Sequence, residues 1–263
     1  MALAAPSALA APPVTNTNDS GPGSLRNAID NASATDTIPV PPGTYRLATG
    51  QLVVDSNLTL TGTGGDTATR IQATGAFRVI CISGAVNVDI AGLTISGGRG
   101  AAGGACADGQ GGGIHDTGTG NLTISDSTIE GNSATAAQGG GGGIFKEVGD
   151  LTVEDTAVRN NSSTGTAALG SNGGGGVRWT GSGFPSFVVR NSEISGNTAT
   201  VAGPTSGGGG LYTQTAGPSL ENVTLSGNRL SLSGALGTES GGGALYARGG
   251  GGLVDHATFA GNS

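Results

Sequence analysis

One feature of this sequence constrains its fold more than any other: two short signatures alternate along it at intervals of about 30 residues. The first signature is a glycine cluster followed by an apolar residue, as in Gly113-Ile114. The second is an apolar residue followed three positions later by asparagine. These asparagines are separated by 29, 36, 31 and 34 residues, and they are Asn132, Asn161, Asn197, Asn228 and Asn262. A period of this length indicates a protein built from stacked repeats.

Each repeat contains three short apolar segments, as at residues 113–115, 122–124 and 128–130. Apolar and polar residues alternate within them with period two, and glycine and asparagine interrupt them, which is typical of strands rather than amphipathic helices. A single coil of three strands cannot bury its apolar side, but coils stacked at about 4.8 Å pile equivalent side chains into one core. The sequence therefore predicts an all-β fold, a right-handed parallel β-helix of about seven three-stranded coils.

The recurring asparagines fall at one corner of successive coils in this fold. An asparagine side chain both donates and accepts hydrogen bonds, so a column of them can satisfy turn backbone groups that would otherwise be buried unpaired. We therefore predict that the five asparagines form a structural ladder inside the coil. The segments between each corner and the next glycine cluster vary in length and are expected to be loops on one side of the stack, at residues 99–110, 163–172, 200–206 and 230–240.

The residues before the first repeat have a different pattern. Ser24 and the apolar positions that follow it predict a short helix with Ser24 as its N-cap, and the apolar face of this helix would cap the first coil. We expect residues 1–13 to be a disordered start or the remnant of a signal peptide, and residues 14–263 to form one domain. Because the sequence stops in mid-coil, we also expect a C-terminal truncation, with the remainder of a longer chain or a partner covering the last coil.

Charge and composition exclude several classes of function. The net charge is −7 with only 11 lysine and arginine residues, whereas nucleic-acid binding needs a basic face. No apolar run approaches the roughly 20 residues of a transmembrane helix, and the two histidines lack the Cys/His cluster of a zinc site, so no metal site is predicted. Cys81 and Cys106 either form a disulfide, which secretion would permit, or remain a buried thiol and a free loop thiol.

Two motifs resemble a known group of proteins. Residues 14–29, Val-Thr-Asn-Thr-Asn-Asp-Ser-Gly-Pro-Gly-Ser-Leu-Arg-Asn-Ala-Ile, resemble the opening of secreted prokaryotic β-helix repeat proteins. The units Gly-Gly-Gly-Ile and Thr-Ile-Glu-Gly-Asn resemble the repeats of polymorphic outer-membrane proteins, within the pectin-lyase-like superfamily. The resemblance implies a secreted or cell-surface prokaryotic protein. It does not imply one activity, because that superfamily includes lyases, hydrolases, adhesins and stalks.

Catalysis on this fold requires clustered acidic residues. Lyases use carboxylates for Ca²⁺ together with a base, and hydrolases use two or three aspartates. The motifs of the polygalacturonase type are absent from this sequence. One charged column, which follows the apolar segment at residues 122–124 and its equivalents in later coils, supplies the candidates for an acid/base or Ca²⁺ site: Arg190, Glu221, Asp255 and His256. The more ordinary interpretation is a ladder of surface ion pairs that includes Glu154.

A second column follows the glycine clusters and contains scarce aromatic residues. Its members, predicted to form a binding surface, are Phe145, Arg178, Tyr212 and Tyr246. If the residue before each of them faces the core, alternation turns these side chains outward. Exposed aromatic rings with an interleaved arginine could receive sugar rings or a protein surface. The alternative is that they stack on one another and stabilise the sheet.

Together these observations predict a secreted or cell-surface β-helix module that acts as an adhesin or as a structural spacer with a glycan- or surface-binding face. A glycan or another cell-surface component is its expected partner. The alternative is a polysaccharide lyase or glycoside hydrolase of the pectin-lyase-like type, for which Ca²⁺ would be the cofactor; no other cofactor is expected.

Overall fold

The chain is an all-β parallel solenoid in the computed structural model, which describes residues 10–100, 106, 108–137, 139–165, 171–181, 186–202, 205–232 and 239–263. It winds through three long parallel sheets, and six full turns separate the first and last strands of the seven-stranded one. The predicted parallel β-helix with a short N-terminal helix is confirmed. No helix among the described residues has the length and apolar character needed to cross a bilayer.

Strands are numbered in chain order, and each of the three long sheets receives one strand from every coil. The first sheet has eight strands: β1 (Asp36–Val40), β4 (Leu58–Gly62), β7 (Val88–Ala91), β11 (Leu122–Ser125), β15 (Leu151–Glu154), β20 (Phe187–Arg190), β25 (Ser219–Glu221) and β30 (Val254–Asp255). The second also has eight: β2 (Gly43–Leu47), β5 (Thr69–Ala73), β8 (Thr94–Ser96), β12 (Thr128–Glu130), β16 (Ala157–Arg159), β21 (Glu193–Ser195), β26 (Thr224–Ser226) and β31 (Thr258–Ala260). The third has seven: β3 (Leu52–Val54), β6 (Ile80–Ile82), β10 (Ile114–Asp116), β14 (Ile144–Lys146), β19 (Val177–Trp179), β24 (Leu211–Thr213) and β29 (Leu245–Ala247).

Two further sheets correct the expectation of three-stranded coils joined by loops. The fourth sheet contains β9 (Arg99–Gly100), β13 (Ser133–Ala136), β17 (Ser162–Gly165), β22 (Thr198–Val201) and β27 (Arg229–Leu232). The fifth contains β18 (Ser171–Gly173), β23 (Thr205–Gly207) and β28 (Glu239–Gly241). Much of the sequence expected to be loop is therefore strand. The reason is that the residues directly after each ladder asparagine pair in register with those of the next coil. Ser133 pairs with Ser162, and Ser162 pairs with Thr198.

The core consists of columns of equivalent apolar side chains that point into the coil. In the second sheet, Ile95 pairs with Ile129, Ile129 with Val158 and Val158 with Ile194, and all are fully buried. Phe259, in β31, occupies the same column but is 48% exposed, because no further strand of the described chain covers it.

A short helix lies against the first coil. Helix α1 (Leu25–Asp30) begins after Ser24, whose side chain accepts a hydrogen bond from the Asn27 backbone N–H at 3.1 Å, as the N-cap prediction requires. Its buried residues are Leu25, Ala28 and Ile29, and it contacts strands β1 and β3. The helix therefore covers the apolar interior that the first coil would otherwise expose at this end of the stack.

The asparagines at the inner corner form one continuous hydrogen-bonded column. The Asn161 side-chain amide donates to Asn197 Oδ1 at 3.1 Å and to the Ile129 carbonyl at 2.9 Å. Its own Oδ1 accepts from the backbone N–H of Asn132 at 3.0 Å and from the Asn132 side chain at 3.1 Å. Both donors and both acceptor lone pairs of this buried amide are thus used. The same pattern continues through Asn228 to Asn262.

The residue before each ladder asparagine turns the chain into the corner. It has a positive φ in five successive coils, at Gly131 (62°), Asn160 (55°), Gly196 (61°), Gly227 (61°) and Gly261 (60°). This left-handed conformation favours glycine and tolerates asparagine. The sequence repeats Gly-Asn because the residue before each ladder asparagine must adopt this left-handed conformation.

Replacing Asn197 by alanine is expected to lower the free energy of unfolding by about 1–3 kcal/mol, because the Asn161 backbone N–H and the Val158 carbonyl of the preceding coil lose a buried hydrogen-bond partner. Urea denaturation followed by circular dichroism would measure the change. The exposed Asn18, replaced by alanine, is the control and should have little effect. Equal stabilities for the Asn197→Ala variant and the unmodified protein would show that the ladder does not stabilise the fold.

Candidate functional site

The outer face of the third sheet carries a second column of side chains, here called the outer column: His115, Phe145, Arg178, Tyr212 and Tyr246. Each of these residues is in register with the next across neighbouring strands. The ring centroids of His115 and Phe145 are 4.8 Å apart, and those of Tyr212 and Tyr246 are 5.4 Å apart. The Arg178 guanidinium lies between these ring pairs, 5.1 Å from the Phe145 centroid and 5.4 Å from that of Tyr212. The five side chains thus form one continuous stack.

The prediction that the side chains of this column are exposed is wrong for Phe145, Arg178 and Tyr212. Phe145 and Arg178 are only 3% exposed, Tyr212 is fully buried, and Tyr246 is half-buried. These side chains do point away from the coil interior, since Ile144 and Leu211, which precede two of them, are buried in the core, and Leu245, which precedes Tyr246, packs against it. Alternation predicted the side of the strand correctly but did not reveal that other backbone covers that side.

The glycine clusters are what cover the outer column. A Cβ atom added to Gly140 would lie 2.3 Å from Arg178 Cδ, and one added to Gly207 would lie 2.4 Å from Tyr246 Cγ. These positions therefore have no space for a side chain, and their backbone packs directly on the column. The repeated glycine clusters were the sequence signal for this burial, because close approach of backbone to side chains is a common reason for glycine.

A disulfide fixes the covering segment at one end of the outer column. Cys81 and Cys106 are bonded, with their Cα atoms 6.0 Å apart, which decides between the two arrangements that the sequence left open. Cys81 is in register with His115. The fully buried Arg78 also donates hydrogen bonds to the carbonyls of Cys106 and Gln110. Burial lowers the pKa of Arg78 to about 10, although the charge of Asp108 opposes this shift.

His115 lies between two carboxylates where this covered end opens to solvent. Its Nδ1 is 3.3 Å from Asp108 Oδ1, and its Nε2 is 2.9 Å from Glu147 Oε1. The imidazole side chain is fully buried, whereas the Asp108 and Glu147 side chains are 39% and 34% exposed. Although it lies 3.3 Å from Asp108, Nδ1 has no hydrogen bond of acceptable geometry. The site therefore presents a buried ring nitrogen to partly solvated carboxylates.

A polar network connects this histidine to the buried arginine. Gln110 donates from Nε2 to Asp108 Oδ2 at 2.9 Å, and its Oε1 accepts from Arg178 Nη1 at 2.6 Å. Burial lowers the pKa of Arg178, and the negative charges of Asp108 and Glu147 are among the interactions that oppose this shift. A cavity of about 360 Å³ borders Gln110, Glu147 and Arg178.

The inner side of the same strands holds a buried ion pair. Lys146, the only lysine of the sequence, lies 2.7 Å from Asp116 Oδ2, and both side chains are at most 1% exposed. Lys146 Nζ also donates to the carbonyls of Gly118 at 2.9 Å and Gly120 at 2.7 Å. Burial raises the pKa of Asp116 and lowers that of Lys146, and their mutual attraction opposes both shifts. This pair holds the turn that leads from the third sheet to the first.

Replacing Lys146 by methionine is expected to cost about 3–5 kcal/mol of stability at pH 7, because the Asp116 carboxylate stays buried without its counter-ion. A carboxyl with a raised pKa in the folded state binds its proton more tightly than in the unfolded chain. The loss should therefore be smallest at acid pH and grow as the pH rises above about 4, the ordinary pKa of aspartate. Urea denaturation between pH 4 and pH 8 would test this.

The double variant Asp116→Leu/Lys146→Met serves as the control for that experiment. It removes both charges and should recover most of the lost stability, since buried ion pairs are often replaced by apolar residues at little cost. A destabilisation of the single variant that does not change with pH would contradict the assignment.

The charged column predicted as an acid/base or Ca²⁺ site lies on the outer surface of the first sheet. Arg190 forms an ion pair with Glu154 at 2.8 Å, and Glu221 is in register with Asp255. His256 Nδ1 lies 2.8 Å from Asp255 Oδ1, with side-chain exposures of 81% and 54%. The structure thus places these residues side by side on an exposed sheet face.

The position of His256 has a structural explanation. Its φ is +50°, and the equivalent corner residues of the preceding coils also have positive φ; they are Asp126, Asp155, Asn191 and Asn222. His256 therefore occupies a turn position that polar residues fill in every one of these coils.

Comparisons with protein-family models, with curated proteins and with solved structures found no match for this chain. Its function is therefore inferred from the geometry of the fold and of the sites described above.

Proposed function

We propose that this chain is a structural spacer module of a secreted or cell-surface protein. The observation that carries the proposal is the double stack of side chains. The asparagine ladder runs through five coils inside the solenoid, and the outer column runs through five strands outside it. Each coil is tied to its neighbour by these side chains as well as by backbone pairing. Such a stack suits a protein that holds other parts at a fixed separation.

The disulfide and the sequence motifs support a location outside the cytoplasm. Disulfides persist in oxidising compartments and are rare in reducing ones. Cys81 and Cys106 are the only cysteines of the sequence, and both are used in the bond. The resemblance of the opening segment and of the repeats to secreted prokaryotic proteins and polymorphic outer-membrane proteins points in the same direction.

Fractionation of the native cells with an antibody against the protein tests this location. We expect the protein in the secreted or cell-surface fraction, with both cysteines unreactive toward thiol reagents until the protein is reduced and unfolded. Reduction should also lower the free energy of unfolding by about 3 kcal/mol, the usual effect of opening a loop of this length. A cytoplasmic protein with two reactive thiols would contradict the proposal.

Glycan binding is a second candidate function, and a groove on the second sheet favours it. Glu130 accepts hydrogen bonds from Arg70 at 2.8 Å and from Arg159 at 3.0 Å, and Arg70 donates to Ser96 at 2.9 Å. Arg70 and Glu130 line a cavity of about 290 Å³ together with Gln72. Planar carboxylate, guanidinium and amide groups that are fixed in this way can bind the hydroxyl groups of sugars.

The charge state of the groove follows from these contacts. Partial burial acts to raise the pKa of Glu130, but the hydrogen bonds and charges of Arg70 and Arg159 outweigh it and hold the pKa below its ordinary value. Glu130 is therefore ionised at neutral pH. It can accept hydrogen bonds from a sugar while the two arginines donate them.

A panel of acidic and neutral polysaccharides, with and without Ca²⁺, tests this candidate by calorimetric binding and by assay of released sugar ends. We expect binding without release, and about tenfold weaker binding for Glu130→Gln, which disrupts the contacts of both arginines. Glu193→Gln is the matched control, because Glu193 is exposed on the same sheet outside the groove. Release of unsaturated or reducing ends, lost in Glu221→Ala or Asp255→Ala, would instead establish the enzymatic alternative.

A further inference from the structure

We propose that His115 and Asp108 bind a divalent transition-metal ion of the zinc class, with Glu147 orienting the histidine ring. The site lies at the end of the outer column beside the disulfide. It does not depend on the spacer or glycan-binding proposals. The donor atoms of the three residues all lie within 4.8 Å of one another.

The protons of the imidazole give the first argument. A neutral imidazole carries one N–H and one lone pair, whereas ionised carboxylates only accept hydrogen bonds. If Nε2 donates to Glu147 Oε1, 2.9 Å away, Nδ1 and Asp108 Oδ1 are two acceptors 3.3 Å apart. Nδ1 then has no hydrogen-bond partner although the ring is fully buried. A cation between them removes this repulsion.

The distance between these two acceptors suits such a cation. Zinc lies about 2.0–2.1 Å from histidine nitrogen and about 2.0–2.2 Å from carboxylate oxygen in proteins, so two such ligands at a tetrahedral angle are about 3.4 Å apart. His115 Nδ1 and Asp108 Oδ1 are separated by 3.3 Å. The two atoms are therefore already spaced as a pair of ligands.

The groups around the pair hold it in this position. Metal-binding histidines usually donate their other N–H to a carboxylate, and Glu147 occupies that place. The Gln110 backbone N–H donates to Asp108 Oδ1 at 3.2 Å, and its side chain donates to Oδ2 at 2.9 Å. The ring stacks on Phe145, and the disulfide at Cys106 fixes the segment that carries Asp108. Little rearrangement is needed to bind an ion.

Access also favours an ion at this site. The Asp108 side chain is 39% exposed, so an ion can enter from solvent and water can complete its coordination.

Metal binding is measured on the disulfide-bonded protein after treatment with a chelator, by calorimetric titration with Zn²⁺ and by the visible absorption of bound Co²⁺. We expect one ion per chain. His115→Phe keeps a ring on Phe145 and Asp108→Asn keeps the shape of the carboxylate, and both should abolish binding. Glu147→Gln should weaken binding about 10- to 100-fold, as loss of such orienting groups usually does.

His256→Gln is the matched control, because it removes the other histidine of the chain, which lies 2.8 Å from Asp255 on the exposed surface. Its affinity for both metals should equal that of the unmodified protein. Circular dichroism of each variant separates loss of the site from loss of the fold. If His115→Phe does not fold, Asp108→Asn provides the test.

Three results would overturn the proposal. The first is no binding of Zn²⁺ or Co²⁺ at millimolar concentration. The second is binding of unchanged affinity in the His115→Phe and Asp108→Asn variants, which would indicate an adventitious ion only. The third is nitrogen NMR that shows both His115 ring nitrogens protonated before and after addition of Zn²⁺.

Discussion

In-register parallel pairing between coils is the constraint on which the rest of this structure depends. Because each strand pairs residue for residue with the equivalent strand of the next coil, every side chain lies directly above a side chain in the same environment. The same residue type can therefore occupy one position in every coil, provided that identical side chains can stack on one another. Apolar residues satisfy this by packing, asparagines by hydrogen bonding, and aromatic rings by stacking. Charged side chains stack best when their signs alternate, as Glu130 and Arg159 do, and two carboxylates in register, Glu221 and Asp255, lie where the sheet face is exposed.

The third sheet shows how one strand can serve two separate interiors. Its inward side chains, such as Ile144 and Val177, belong to the apolar core, while the outward ones belong to the outer column. Both faces of β6, β10, β14, β19 and β24 are buried, so these strands lack the solvent-facing side that the other long sheets retain. This second interior is partly polar. It contains a histidine and an arginine whose contacts with carboxylate and amide groups lie at its solvent edge.

The sequence was informative wherever the structure repeats. The period and the strand-like alternation predicted the solenoid, and the recurrence of asparagine at one offset predicted a corner where the hydrogen bonds between these side chains are found. Alternation also assigned Tyr212 to the outward side of its strand. It could not show that backbone from a neighbouring coil covers that side, since strand periodicity concerns the strand and not its surroundings. The glycine clusters were a signal of this close backbone approach, but glycine clusters are equally typical of tight turns.

The site around His115 was beyond prediction for a different reason. Asp108, His115 and Glu147 come from two coils, and neither carboxylate recurs at its position in other repeats, so no pattern marks them. The disulfide was equally open, because Cys106 lies in a segment whose path depends on Arg78 and on the covering backbone. Features that occur once in a repeat protein leave no periodic signal and require the three-dimensional structure.

The asparagine ladder has an electrical consequence. In every rung the side-chain oxygen accepts from the preceding coil, so the five carbonyl dipoles point in the same direction along the solenoid axis. Aligned hydrogen-bonded amides polarise one another, and each bond strengthens its neighbours. The rungs are therefore unequal: Asn161, Asn197 and Asn228 have a side-chain amide on both sides, whereas the oxygen of Asn132 accepts from the Gly98 backbone N–H instead of a preceding side-chain amide.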